Sequence, residues 1–390
     1  MSDFWQETIL TAKQIRHELH QHPELGWQEL QTAERIRQRL SEWKIPWKAC
    51  AKTGTLAFIN HQEGKHGKHI ALRGDIDALP ISEQTDKVYQ SKQDGCMHAC
   101  GHDGHTATLL ATARWLKHCE SDIPGPVTLI FQPAEEGGHG AKVMIDDGAL
   151  DGVDEIYGWH NWPAIGFGKI LCPDGLVMCG NGTFTLTVNG LGGHASQPEL
   201  CRDPVLAASA ITLALQQVIS RRLAPQKPAV LSVTSIDARS AATVIPQQAI
   251  ISGSIRVPDK ATRVEINQLI TEVATDTARS YGVDCEVDIQ PRYEATINHA
   301  LQASNVRQSW QQFGEDALVN QALAPVMASE DFSYYLQKIP GAFALVGADD
   351  GPDHQAPCHS PHYDFNDRLI EKVTILFSQL VGAPVPDSQN

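Results

Sequence analysis

Thiol, imidazole and carboxylate side chains crowd into a few short stretches of this chain. The densest is His98-Ala-Cys100-Gly-His102-Asp103-Gly-His105. In an extended segment, residues two apart point the same way, so Cys100 and His102 can reach one point. A thiolate beside an imidazole suits a divalent transition metal. Asp77 or Asp103 could accept the second ring N–H of a ligating histidine and so fix its tautomer. The plain alternative is a loop of incidental histidines. The second cluster is Glu135-Glu136. Adjacent carboxylates repel unless positive charge is near, and a bare pair reads as a solvated acidic turn. Pro133 before it and Gly137-Gly138 after it favour a turn that presents both groups. Glu136 would then bind metal, while Glu135 serves as general base and later as general acid. His160 lies between two tryptophans, and His359 follows Cys358; alone they read as a core histidine and a loop histidine.

The elements that must position these residues alternate between strand and helix. Apolar β-rich runs cover 55–59, 69–73, 126–131, 154–159 and 342–347, with helical spacing over 5–20, 27–42 and 105–118. This rhythm predicts an α/β domain, a mostly parallel sheet with helices on both faces. Arg73-Gly-Asp75-Ile-Asp77 follows one strand, Gln132-Pro-Ala-Glu135-Glu136 follows another, and Trp159-His160-Asn161 ends a third. Ligands of open α/β sheets bind outside the carboxyl ends of the strands, so three segments deliver polar groups to one rim. From 183 to 293 the order becomes β-α-β-β-α-β, a ferredoxin-like α+β unit. The expected organisation is a catalytic domain of 1–182 and 294–390 with a lid at 183–293.

Composition narrows the partners. The 390 residues carry 31 Lys+Arg against 46 Asp+Glu, a net charge of −15. Such a surface repels phosphate backbones and anionic lipid, so neither nucleic acid nor membrane is an expected partner. The start lacks the basic and apolar regions of a secretory signal, and no apolar run is long enough to span a bilayer. Nine cysteines without any C-x-x-C pair exclude a zinc ribbon and read as reduced thiols of a cytoplasmic protein, bland except for Cys100. Most other histidines read as structural: His17, His20 and His22 at a helix end and turn, His61, His66 and His69 in a solvated hairpin, His105 packed at a helix start.

Seven segments together carry a resemblance. They are His20-Gln-His-Pro-Glu-Leu-Gly26, Leu72-Arg-Gly-Asp-Ile-Asp-Ala-Leu-Pro80, Met97-His-Ala-Cys-Gly-His-Asp-Gly-His-Thr-Ala107, Phe131-Gln-Pro-Ala-Glu-Glu-Gly137, Gly190-Leu-Gly-Gly-His-Ala-Ser-Gln-Pro198, Ser329-Glu-Asp-Phe332 and His359-Ser-Pro-His-Tyr-Asp-Phe-Asn-Asp367. From about residue 14 to 380 the chain closely resembles the amidohydrolase branch of the aminoacylase/carboxypeptidase metallohydrolases. That resemblance implies a di-metal exopeptidase-like catalytic domain with a ferredoxin-like lid that often mediates a homodimer. It implies two divalent ions held by Cys100, His102, Glu136, His160 and His359, with Glu135 as base. His194 of the lid would reach the reacting carbonyl or the carboxylate, and Arg256 would hold the substrate carboxylate. The chain departs from the pattern at Thr243, where an Asn is usual, and at Glu199, where a His is common; neither removes a ligand or the base.

These residue types suffice for amide hydrolysis. A metal brings the pKa of water from 15.7 to about 7, and a nearby carboxylate can relay the proton to the leaving nitrogen. Counting the ions' own charge, the core of the site is cationic inside an acidic protein, which suits a substrate with a free carboxylate. The expected substrate is an N-acyl or N-aroyl L-amino acid and the metal zinc, manganese, cobalt or nickel. The rivals are a dipeptidase, carboxypeptidase or diamino-acid deacylase on the same fold, a thiol amidase with Cys100 as nucleophile, and a non-catalytic metal-binding protein.

Overall fold

The computed structural model describes residues 2–61 and 67–386, so His66 lies outside the described residues. The chain divides into two compact units. The first comprises Met1–Val177, Ile297–Ala324 and Asp331–Asn390; the second comprises Met178–Thr296 and Pro325–Glu330. The short return at 325–330 departs from the expected organisation, which left that stretch in the catalytic domain.

The first unit is built on a seven-stranded sheet. Its central strands, Val127–Gln132, Ile70–Asp75, Glu155–Gly166 and Gly341–Asp349, run parallel in that spatial order. Trp47–Cys50 and Gly54–Ile59 extend one edge antiparallel, and Ile170–Leu171 closes the other. Every residue of Val127–Gln132 and of Ile70–Asp75 is buried, so both faces of the sheet are covered, as continuous apolar strands require. The helix His102–His118 is buried along nearly its whole length and packs against helices Ser2–Gln21 and Arg368–Leu380. Leu109, Leu110, Trp115 and Leu116 join Ile9, Ile15, Val373 and Phe377 in that core.

The second unit holds a four-stranded antiparallel sheet in the order Val230–Asp237, Gln248–Val257, Gly180–Asn189, Asp284–Pro291. Its helices Pro204–Gln217 and Lys260–Ser280 start at Asp203 and Asp259, whose side chains accept from free N–H groups of the first turn. Ile211, Leu215, Ile266 and Ile270 pack on Phe184, Leu186, Val188 and Ile251 of the strands. Along Gly180–Asn189 burial alternates, which is the period of a strand with one covered face.

Buried charge ties the N-terminal helix to the first unit. Arg16 Nε donates to Asp367 at 2.7 Å, and its Nη1 lies 3.3 Å from Asp364 and 3.7 Å from Asp103. His20 Nδ1 lies 2.8 Å from Asp103. Arg16 and His20, the latter read as structural from the sequence, are buried partners of the segment carrying His102. Burial opposes charging of His20, but Asp103 outweighs it and raises the pKa to about 9. A raised folded pKa stabilises fully below the unfolded value near 6.5, and the effect disappears as pH rises through 9. We therefore expect a decline of on the order of 3 kcal/mol in unfolding free energy between pH 6.5 and 9.5 from this group. His20→Gln is expected to flatten that decline in urea titrations; an unchanged slope would contradict the assignment.

Candidate metal centre and active site

The site grows from strand ends of the first unit. Asp75 closes its strand and Asp77 lies two residues beyond; Glu135 and Glu136 follow the strand that ends at Gln132. His160 and Asn161 do not end their strand as expected: it continues to Gly166. Cys100 and His102 also meet differently from the extended reading. His102 and Asp103 already belong to the helix, and Gly101 turns the chain at φ 87°. A Cβ at Gly101 would stand 2.0 Å from Asn161 Oδ1 and 2.5 Å from the Tyr363 hydroxyl, so only glycine permits this turn.

The turn brings distant groups together. Cys100 Sγ lies 3.2 Å from His160 Nε2 and 3.4 Å from His359 Nε2. His359 Nε2 lies 3.1 Å from Glu136 Oε1. The donor atoms form overlapping sets: Cys100, His102 and His160 in one, Cys100, Glu136 and His359 in another, each within 4.8 Å. Cys100 is common to both. A third set joins His102 with Glu135 and Glu136. His359 sits at φ 68°, a left-handed conformation that is uncommon for a residue other than glycine.

Tautomers point the open nitrogens inward. His102 Nδ1 donates to the Asp77 carbonyl at 2.9 Å and lies 3.2 Å from Asp77 Oδ1. Its Nε2 is buried without a hydrogen-bond partner. His160 Nδ1 donates to the Asn161 carbonyl at 2.6 Å, leaving Nε2 toward Cys100. Burial, with His105 and His102 nearby, holds His160 neutral. His102 is different: burial opposes its charge, but Asp75, Asp77 and Glu136 raise its pKa to about 10. The Cys100 thiol is pushed well above its ordinary value by its hydrogen bond with Cys358, by burial and by the two glutamates. Without a cation, then, this cluster recruits protons. Divalent ions would supply the same positive charge, and a buried imidazole nitrogen that makes no hydrogen bond and has Asp75 Oδ2 at 3.6 Å, beside thiol, imidazole and carboxylate donors, fits them.

Asp77 does more than the sequence reading assigned. Besides His102, its Oδ2 accepts from the Glu136 N–H at 2.9 Å, so one carboxylate orients two members of the cluster. Asp103 is a correction: it pairs with His20 and Arg16 and orients no member of the cluster.

Residues 71–383 match Peptidase family M20/M25/M40. The chain belongs to this family. It is 36% identical over 383 residues to the IAA-amino acid hydrolase ILR1-like 5 of Arabidopsis thaliana, covering 96% of this chain and 87% of that protein. It is 36% identical over 375 residues to the hippurate hydrolase of Campylobacter jejuni, covering 94% and 95%. The N-acetyl-L-cysteine deacetylase of Bacillus subtilis is 37% identical over 361 residues, covering 92% and 85%. Among solved structures, the YXEP protein of Bacillus subtilis, described as a dinuclear metal binding peptidase, superimposes with a TM-score of 0.83 at 32% identity, covering 96% and 98%. As a member of this peptidase family the protein is a hydrolase.

Around the M20 cluster lie buried partners that the sequence reading passed over. Arg73 bonds Asp75 at 2.5 Å and Asp331 at 3.1 Å, and Gln132 Nε2 donates to Asp331 at 2.8 Å. The Asp331 N–H lies 3.4 Å from Glu135 Oε1. His105 Nδ1 lies 2.6 Å from Asp75 Oδ1, so His105 belongs to this network and is not mere packing. The sequence signals were Arg73, Asp75 and Gln132 at strand ends, His105 closing the 98–105 segment and Asp331 inside Ser-Glu-Asp-Phe, without any indication that they pair. In the second unit, His194 is exposed, pairs with Val244 in a short ladder and lies 2.7 Å from Ser196 Oγ. Arg256 Nε donates to the Met327 carbonyl at 3.0 Å and its Nη1 to Ser254 Oγ at 2.7 Å.

Asp77→Ala is expected to weaken metal binding about 10–100-fold in competition with a chromophoric chelator. Asp103→Asn is expected to lower stability and leave affinity nearly unchanged. Unchanged affinity in Asp77→Ala would contradict the geometry.

Proposed function

We propose that the protein hydrolyses N-acyl L-amino acids, including N-aroyl ones, to a carboxylic acid and an amino acid. The observation that carries this reading is the pair of donor sets sharing Cys100, with the Glu135 carboxylate beside them. In this reading Cys100, His102, Glu136, His160 and His359 hold two divalent ions, of zinc, manganese, cobalt or nickel. Ions so held supply Lewis acidity, which makes water nucleophilic near neutral pH and polarises an amide carbonyl. Glu135, with one oxygen toward the Asp331 N–H, takes the proton from the attacking water. It then returns that proton to the amide nitrogen as the C–N bond breaks, so the leaving group departs as a neutral amine. Asp77 keeps His102 in the tautomer that presents Nε2. The names of the relatives support the substrate class, since each of the three joins an acyl group to an amino acid.

For the second unit we propose that Arg256 binds the substrate carboxylate and His194 assists at the reacting carbonyl. Arg256→Ala is then expected to raise KM more than it lowers kcat. Among the described residues no helix is long and apolar enough to cross a membrane. We place the protein in the cytoplasm on the strength of nine free cysteines, which suit a reducing compartment.

The reaction is tested with N-acetyl-, N-benzoyl- and indole-acetyl-amino acids and with dipeptides. Amino-acid release from the acyl substrates is expected to vanish on chelation and return with added metal. Glu135→Gln is expected to lower kcat about 100- to 10,000-fold while metal content stays the same. Turnover that survives chelation, or a fully active Glu135→Gln, would sink the proposal; faster dipeptide cleavage would transfer it to the peptidase rival.

We also propose a homodimer through the second unit. Its strand Val230–Asp237 is a sheet edge with Val230 and Ile236 exposed, and Leu206 and Leu213 are exposed on the helix Pro204–Gln217. An open edge pairs readily with its own copy about a two-fold axis. Light scattering after gel filtration is expected to give twice the monomer mass, and Ile236→Lys to give the monomer. A monomeric wild type would contradict it.

A further inference from the structure

Cys358 takes no part in the chemistry above, yet it lies against the thiol that both donor sets share. The His359 N–H donates to the Ala99 carbonyl at 2.7 Å, so the segments carrying Cys358 and Cys100 run side by side. Asn161 Nδ2 reaches both, at 3.3 Å from the Cys100 carbonyl and 3.6 Å from Cys358 Sγ. The two thiols share a hydrogen bond. Cys100 is buried, whereas Cys358 is partly exposed. Two thiols within hydrogen-bonding reach on adjoining backbone segments are neighbours from which a disulfide can form once the sulfurs close to about 2.0 Å.

We propose that Cys100 and Cys358 form a redox pair that closes to a disulfide when the cations are absent and a hydroperoxide is present, withdrawing the shared ligand until a thiol reductant reopens it. The proposal rests on Cys100 being a metal ligand. Cys358, on the more exposed of the two residues, attacks a peroxide oxygen; the O–O bond breaks, the first water leaves, and Cys358 becomes a sulfenic acid. The Cys100 sulfur then attacks the sulfenic sulfur, the S–O bond breaks, and a second water leaves. Two thiols and one hydrogen peroxide thus give one disulfide and two waters, with two electrons passing from sulfur to oxygen. A dithiol returns those electrons by exchange. Bound ions oppose closure, because they hold the Cys100 thiolate as a ligand. A disulfide sulfur has no such charge to offer, so closure and metal binding exclude each other.

The test uses the full chain, stripped of metal and treated with one equivalent of hydrogen peroxide, then alkylated and mapped by peptide mass. The stripped wild type is expected to lose two of its nine free thiols, to yield a linked peptide joining Cys100 and Cys358, and to lose zinc uptake. Dithiothreitol is expected to restore both thiols and zinc uptake. Zinc-loaded protein and stripped Cys358→Ser are expected to yield no linked peptide, with Cys358→Ala as a second variant should the serine form fold poorly. Absence of the linked peptide from stripped wild type, or equal yields with and without zinc, would overturn the redox pair. The ligand reading is judged separately by Cys100→Ser: normal zinc uptake by that variant refutes the ligand assignment, whereas impaired uptake without any wild-type cross-link refutes the redox pair alone.

Discussion

Uncompensated negative charge in a buried place is the constraint on which the rest of this structure depends. Asp75, Asp77, Glu135, Glu136 and the Cys100 thiol are gathered where water is largely excluded. Such a cluster cannot remain ionised without positive charge close by. Part of that charge is built in: Arg73 lies against Asp75 and Asp331. The remainder must come from protons or from metal ions. The raised pKa values of His102 and Cys100 are the proton-filled version of the same demand.

The fold answers this demand with rigidity. The strand-end carboxylates are fixed by parallel strands buried on both faces, and the helix carrying His102 is packed among two other helices. The left-handed turn at Gly101 is walled in by Asn161 and Tyr363. Asp77 couples the cluster internally by holding His102 and the Glu136 backbone at once. Asp331 does the same farther back, joining Arg73 and Gln132 to the backbone that faces Glu135. The candidate donor atoms are thereby held in place by the fold itself, and a preorganised site limits the reorganisation needed during reaction.

Much of this was legible in the sequence. Continuous apolar runs located the strands 55–59, 69–73 and 126–131, which are almost wholly buried, and alternating or helical spacing located the ferredoxin-like order of the second unit, whose elements have one covered face. The cluster residues were legible as types in motifs. Their mutual geometry was not. The meeting of Cys100 and His102 was expected from an extended segment, whereas it arises at a helix start through a left-handed glycine. Asp103 looked like a partner for a ligating histidine because it is adjacent to His102, but the first turn of the helix directs it to Arg16 and His20. Cys358 read as a bland thiol because nothing in its local pattern encodes a contact with a residue more than two hundred positions away. Long-range pairings of this kind, Arg73 with Asp331 among them, are products of the tertiary fold.

We propose that two cations share the Cys100 sulfur, the one donor common to both sets. Anomalous diffraction from crystals of the metal-loaded protein, recorded at the absorption edge of the bound element, tests it most directly. Two peaks about 3.5–4 Å apart are expected, both adjoining Cys100 Sγ, with His102, His160, Glu136 and His359 completing their surroundings. No peak there, or a single peak that Cys100 does not touch, would contradict it.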